Sequence, residues 1–453
     1  MRTTVVLFTR DLRVHDHPAL HEAQLRGGRV VPAFVLDDAI LGSRYGRPNR
    51  VSFLIDSLKD LDASLKARGA RLVIRRGDVV AEAMVIADDA GADALFMSAD
   101  YSKYARMREE RLGSACKGRG IEFRTFDGVS VVAPGDVTPA NGDHFKVFTP
   151  YFNKWKAVAR RSVHEAPRSL DWPSSMKVGR IPAPHALVSG SPSPEIPTGG
   201  ETAGRERLDN WLRVRLAIYG TGHDDLASDD TSRLSPYLHF GCISPRYVEQ
   251  RVRGAEGGED FIRQICWRDF YNQVLAVTPD YPRKDYRSHG DSRKKDRDVL
   301  GAWIQGRTGY PIVDAGMRQL QREGFMHNRA RLITASFLTK TCYIDWTWGA
   351  WHFFDLLVDG DMANNSGNWQ WVAGTGNDTR PNRVLNPIRQ GERYDPSGDY
   401  VRRYVEELAG VEGKRVHQPW KLDDDERKKL DYPDRIVDHE EGMRAYRARR
   451  GRS

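Results

Sequence analysis

The first 130 residues alternate short apolar runs with stretches of helical periodicity, and this alternation limits the fold more than any other feature. The runs are Thr4–Phe8, Val30–Leu36, Arg71–Arg75, Ala94–Ser98 and Ile121–Phe126. Between the second and third, Val51–Arg68 sets Phe53, Leu54, Leu58, Leu61 and Leu65 at helical spacing. Strand–helix–strand units of this kind predict an α/β domain with a doubly wound parallel sheet. No Gly-x-Gly-x-x-Gly follows the first run, so a dinucleotide at that turn is not supported. Ligands of such sheets sit beyond the carboxyl ends of the strands. That edge carries Arg10, Asp11, Asp37, Asp38, Asp78 and Asp100.

The pattern then changes twice. Residues 165–200 hold seven of the 23 prolines, mixed with serine and glycine, and read as a long, little-structured linker. From Glu201 onward the periodicity is mostly helical, with Glu259–Val277 and Met326–Lys340 as clear amphipathic stretches. A chain of 453 residues needs more than one core. The expected division is 1–130, the α/β domain; 131–200, the connection and linker; and 201–453, an all-α domain.

Composition narrows the function. A formal charge of +8 with aromatics interleaved among the basic residues favours a nucleic-acid partner over a membrane. No apolar run approaches membrane-spanning length, and the N-terminal one is too short for a signal peptide, so cytoplasmic residence is expected. The four cysteines (Cys116, Cys242, Cys266, Cys342) are far apart with no Cys-x-x-Cys, which argues against a zinc site or disulfide framework. No metal site is expected.

Four segments carry chemistry. Asp359–Trp371 packs two carboxylates, three asparagines, two glycines and two indoles into thirteen residues. Alone it reads as a polar helix start beside packed tryptophans. Thr231-Ser232-Arg233-Leu234-Ser235-Pro236 reads as a helix start, either an ordinary cap or a phosphate site. Gln264, Trp267, Arg268 and Tyr271 are spaced i, i+3, i+4, i+7 and share a helical face. An amide, a stacking platform and a guanidinium suit a flat anionic substrate; a buried tryptophan with an amphipathic rim is the plainer alternative. Met326–Arg331 places Asn328, Arg329 and Arg331 on one turn, where Arg331 can pair with Asp359 or Asp361 or face phosphate. Eight of the 11 tryptophans lie beyond residue 260. No Ser-His-Asp order or P-loop is recognisable, so an organic cofactor would carry the chemistry.

Taken in order, Phe8–Asp16, Phe145–Tyr151, Thr231–Ser235, Cys266–Tyr271, Thr308–Asp314, Met326–Arg329 and Asp359–Trp371 resemble the DNA photolyase/cryptochrome family over nearly the whole chain. The resemblance is greatest to class I cyclobutane pyrimidine dimer photolyases. It implies an α/β antenna domain and a helical FAD-binding domain. It also implies a light-driven reaction in which excited, reduced FAD donates an electron that splits the dimer. Tyr219 and Thr231, Ser232, Arg233, Leu234 and Ser235 would embrace the flavin and its phosphates. Arg331, Asp359, Gly360 and Asp361 would line its cavity, and Asn365 would face flavin N5. Gln264, Trp267, Arg268, Tyr271 and Trp371 would meet a flipped-out pyrimidine dimer, with Asn328 and Arg329 on the damaged DNA strand. Trp369 and Trp346 would deliver electrons. A monomer is expected.

The resemblance has departures. Gln264 stands where dimer photolyases have glutamate, as in the 6-4 photolyases, but the 6-4 histidine pair is missing from Asn328–Leu332. Leu332 replaces a methionine against the lesion. The outer tryptophan of the electron chain is replaced by Arg293, so the chain would end early or leave through Trp348, Trp351 or a tyrosine. Ala105 replaces the glutamate of folate-binding members. Phe34, Asp37, Arg50 and Asp100 match deazaflavin contacts, so 8-hydroxy-5-deazaflavin is expected before folate as an antenna chromophore, with no antenna or a second flavin as the next alternatives. The competing functions are 6-4 photoproduct repair and a cryptochrome-like blue-light flavoprotein without repair.

Overall fold

A computed structural model describes residues 2–228, 230–290 and 293–450. Asp229, in the acidic loop before Thr231, and residues 291 and 292, beside Arg293, lie outside the described residues. Five parallel strands form one sheet in the order β3-β2-β1-β4-β5. They are β1 Thr3–Leu7, β2 Arg29–Asp37, β3 Val73–Gly77, β4 Ala94–Ser98 and β5 Glu122–Phe126. Thr4 of the central strand pairs with Val30 on one side and Ala94 on the other. All of β1 is buried, which is why its sequence is a continuous apolar run rather than an alternating one.

Successive side chains of β1 serve opposite faces. Val5 and Leu7 pack with helices Val79–Ala90 and Lys103–Lys117. Val6, with Phe8 just past the strand, packs with helices Pro18–Arg26 and Pro48–Lys66, in a core that continues into the helical half. β3 begins two residues later than its apolar run. Asp62 accepts from Leu72 N at 3.1 Å and Arg71 Nε at 3.3 Å, which holds that dipeptide in the approach to the strand.

The proline-rich linker has little regular structure, with a 3-10 turn at Pro184–Ala186. It is nevertheless fastened to the α/β half. Val30 N donates to Asp171 O at 2.8 Å, Ile74 N to Val178 O at 2.7 Å, and Ser193 N to Asn49 Oδ1 at 2.7 Å.

In the helical half, helix Gly258–Val277 contacts helix Phe148–Ala157 and helix Met362–Ala373. Asp269 ties it to the connection by accepting from Val131 N and Val132 N, both at 3.0 Å, and from Trp155 Nε1 at 2.9 Å. Burial pushes that carboxyl up to about 6. The expected helix 326–340 appears as Asn328–Ser336 followed by a wider π turn, Phe337–Thr341. Helices Trp346–Leu356 and Met362–Ala373 meet closely at Gly349. A Cβ there would lie 2.2 Å from the Trp369 indole, so only glycine permits the approach.

The segment leading to Asp359 is held by the α/β half. Arg44 Nη2 and Arg47 Nε reach Asp355 at 2.6 and 3.0 Å. Asn49 donates to Leu356 O and Arg50 Nη1 to Leu357 O, the latter at 3.0 Å.

Candidate flavin and DNA-lesion site

One cavity of about 410 Å³ gathers most of the candidate residues. Tyr219, Thr231, Ser232, Arg233, Leu234, Ser235, Gln264, Trp267, Arg268, Tyr271, Asn328, Arg331, Asp359, Asp361, Asn365, Trp369 and Trp371 all line it. The helical face read from Gln264 to Tyr271 therefore turns toward one space. Leu332 lines it too, with His239, Phe325, Phe353, Asn364 and Asn368, which the sequence did not single out. Gly360, Arg329 and Trp346 are not among the lining residues.

The charged lining groups are paired. Arg331 meets Asp359 in a two-pronged contact at 2.8 and 3.2 Å, and its Nε donates to Met326 O at 2.8 Å. Asp359 is thus the partner chosen from the two carboxylates. Arg233 Nη1 lies 2.8 Å from Glu323. Asp361 caps helix Met362–Ala373: its Oδ1 accepts from Asn364 N and Nδ2, both at 2.8 Å. Burial acts to raise its pKa, but Arg10 and His239 outweigh that and hold the carboxylate well below its ordinary range. His327, buried at the start of helix Asn328–Ser336, accepts from Arg329 N through Nδ1 at 3.1 Å. Burial brings its pKa down to about 4, which keeps the ring neutral and the cap intact.

Thr231–Ser235 is a turn more than a helix start. The helix is only Ser235–His239, Leu234 makes no side-chain cap, and Arg233 adopts φ 50°. Ser232 Oγ accepts from Leu234 N at 3.3 Å, while Thr231 Oγ1 is buried with no hydrogen-bond partner in the protein. A buried hydroxyl without a protein partner, two residues from an arginine, suits a phosphate oxygen.

Two arginines expected to meet the substrate are engaged within the protein. Arg268 donates to the backbone carbonyls of Val129 and Leu238, so it fastens the loop after β5 to helix Ser235–His239. Arg329 is held by Asp224, with Nη2–Oδ2 at 2.5 Å and Nε–Oδ1 at 3.1 Å, and it lies over Tyr394. Tyr271 is buried, its ring against Gly367, and offers the cavity only part of its surface.

The lesion candidates are otherwise open. Gln264 and Asn328 are exposed, as is Asn368, which the sequence did not single out, and Trp267 and Trp371 are half-buried. Phe148 covers one face of Trp267, with ring centroids 3.7 Å apart and planes 4° from parallel. Arg383 lies 5.2 Å over Trp371. Trp369 touches Phe353 and Trp303, and Trp346 donates to Asp285 at 2.7 Å. Asn365 Nδ2 donates to Ala350 O at 2.9 Å, which fixes its amide. Arg293 donates to Thr339 O at 3.2 Å and lies 5.3 Å over Tyr343.

The polar antenna candidates are engaged within the protein. Asp37 accepts from Ala39 N and the Tyr104 hydroxyl. Asp100 pairs with Arg10 and accepts from Tyr101 N. Arg50 is buried and spends its donors on carbonyls, including Leu357 O. Phe34 is part of the core.

Residues 4–170 match the family DNA photolyase, and residues 261–451 match the FAD binding domain of DNA photolyase. The chain belongs to the DNA photolyase/cryptochrome family. It is 51% identical to a deoxyribodipyrimidine photo-lyase of Streptomyces griseus, over 100% of both chains. Its fold matches the crystal structure of a bacterial class III photolyase from Agrobacterium tumefaciens with a TM-score of 0.93 at 34% identity, covering 100% of this chain and 98% of that one. It also matches an archaeal photolyase from Sulfolobus tokodaii, solved with two FAD molecules, with a TM-score of 0.88 at 32% identity over 100% of both. A photolyase-type FAD site agrees with the orphaned Thr231 hydroxyl and the paired cations around the cavity. No helix among the described residues is long and apolar enough to cross a membrane.

Proposed function

We propose that this photolyase-family chain is a light-dependent lyase that splits cyclobutane pyrimidine dimers in damaged DNA. The supporting observation is the pairing of two kinds of surface in one cavity: buried, neutralised charges suited to a dinucleotide, and exposed amides with two half-buried indoles suited to a base pair. FAD supplies, when bound, the light-excited electron that breaks the cyclobutane ring.

The residues bind and orient. Thr231–Ser235 and Tyr219 take the phosphates and sugar. Arg331 fixes Asp359, and Asp361 fixes the start of the helix that carries Asn365. Trp267 and Trp371 receive the dimer, which leaves the stack at low cost because it is already poorly paired. Gln264 donates to a base carbonyl through its amide, and Asn328 contacts the strand beside the lesion. Arg268, Tyr271 and Arg329 contribute through shape and position. Trp369 and Trp346 carry electrons to the cofactor. An antenna chromophore of deazaflavin type would sit at the strand ends near Phe34, Asp37, Arg50 and Asp100. Its entry requires Asp37 and Asp100 to exchange internal partners.

The test uses the purified, reduced protein with an oligonucleotide carrying one dimer, under blue light. Loss of dimers in light and not in darkness is expected, with binding that weakens steeply as salt rises. Repair of a 6-4 oligonucleotide instead would favour the relative that shares Gln264. Absence of both repairs, with flavin present, would favour the cryptochrome-like reading.

A further inference from the structure

We infer that Arg10, on the loop leaving β1, is a positioning residue of the flavin cavity, so that the α/β half completes the cofactor site of the helical half. The proposal rests on the reading above that this cavity holds FAD.

Arg10 is shared between the two halves. Its Nη2 lies 2.5 Å from Asp361 Oδ2, its Nη1 lies 3.1 and 3.3 Å from the two oxygens of Asp100, and its Nε donates to His239 O at 3.2 Å. The main chain is equally constrained. Gly241, with φ 67°, packs so tightly on the Arg10–Asp11 backbone that a Cβ would lie 1.9 Å from Arg10 O. Arg10 therefore cannot drift away from Asp361 without opening the contact between the halves.

Asp361 is where this bond matters. It is buried, lines the cavity, and uses its other oxygen to hold the first turn of helix Met362–Ala373. That helix carries Asn365, Asn368, Trp369 and Trp371 into the same cavity. Without Arg10, the neighbouring His239 Nδ1 lies 3.8 Å away, beyond hydrogen-bond distance, and burial lowers its pKa, so it does not replace the charge of the guanidinium. A buried carboxylate that loses its partner either takes up a proton or turns toward water. Either change loosens the cap and the geometry of the residues it positions. Arg10 does not line the cavity; it acts through Asp361.

The experiment compares full-length Arg10→Met, Arg10→Lys and Asp355→Asn with the parent chain, after folding is checked by circular dichroism. The readouts are the flavin-to-protein ratio, the rate of flavin release and the unfolding temperature. Asp355 is the control because it pairs with Arg44 and Arg47 across the same interface and does not line the cavity. Arg10→Met is expected to weaken flavin retention by at least about tenfold. Arg10→Lys should recover part of the loss, because an ammonium satisfies Asp361 but cannot also span Asp100 and His239 O. Asp355→Asn should lower the unfolding temperature with flavin retention unchanged. Full retention in folded Arg10→Met, or equal loss in Asp355→Asn, would overturn the assignment. If Arg10→Met does not fold, release from Arg10→Lys decides alone: a rate equal to the parent's contradicts the proposal. A parent chain isolated without flavin, and unable to take it up, would instead remove the reading on which the proposal rests.

Discussion

Two groups of residues share one cavity and are built on opposite principles. The charged group, Arg331, Asp359, Asp361 and Arg233, is held by ion pairs and caps, with both carboxylates buried. The amide and indole group, Gln264, Asn328, Asn368, Trp267 and Trp371, is exposed or half-buried. A resident cofactor favours the first design, because buried charges hold their geometry only when each has its partner. A substrate that enters and leaves favours the second, because its contacts must be available to water between visits. Mutations in the two groups should therefore separate cofactor retention from lesion binding.

The largest effect is expected at the ion pair. Arg331→Met leaves buried Asp359 without its cation, and should cost about 4 kcal/mol in denaturant unfolding together with most of the bound flavin. His327 gives a pH version of the same test. Its pKa is about 4 in the folded chain against 6.5 for the free side chain, so the unfolded state binds the extra proton first. Stability from this group is complete above pH 6.5 and declines as pH falls toward 4, by about 3 kcal/mol in total. His327→Asn keeps a capping acceptor and should flatten that decline in unfolding curves measured across the range.

Smaller effects belong to the lesion group. Trp267→Ala should weaken binding of a dimer oligonucleotide by about 1–3 kcal/mol in a fluorescence titration, with flavin content unchanged. Phe148→Leu removes the ring behind Trp267 and should cost about 1 kcal/mol of the same affinity. Gln264→Glu should move dimer affinity by less than about 1 kcal/mol and add a pH dependence in the carboxylate range that the parent chain lacks. Flavin loss in any of these three would break the separation.

Local chemistry was the readable part of the sequence. Each apolar run of the first 130 residues is a strand within two residues; β1, β2 and β4 are continuous apolar segments because they are buried in a parallel sheet. The Gln264–Tyr271 face was readable from helical spacing, and the start of helix Met362–Ala373 from Asp361 and its small polar neighbours. Long-range pairing was not. Arg10 and Asp361 lie 351 positions apart, and no local pattern joins them. Arg329 looked available for the damaged strand because Asp224 is 105 positions away. Arg268 looked like a clamp because the carbonyls it satisfies, Val129 O and Leu238 O, are 139 and 30 positions away.

The most direct test of the division is the flavin-to-protein ratio of the Trp267→Ala, Trp371→Ala double variant, taken by absorbance on the preparation used for photorepair. A full complement of flavin in a protein that no longer removes dimers in blue light is the predicted result. Flavin loss in step with activity would contradict it, because the indoles would then belong to the cofactor's own support.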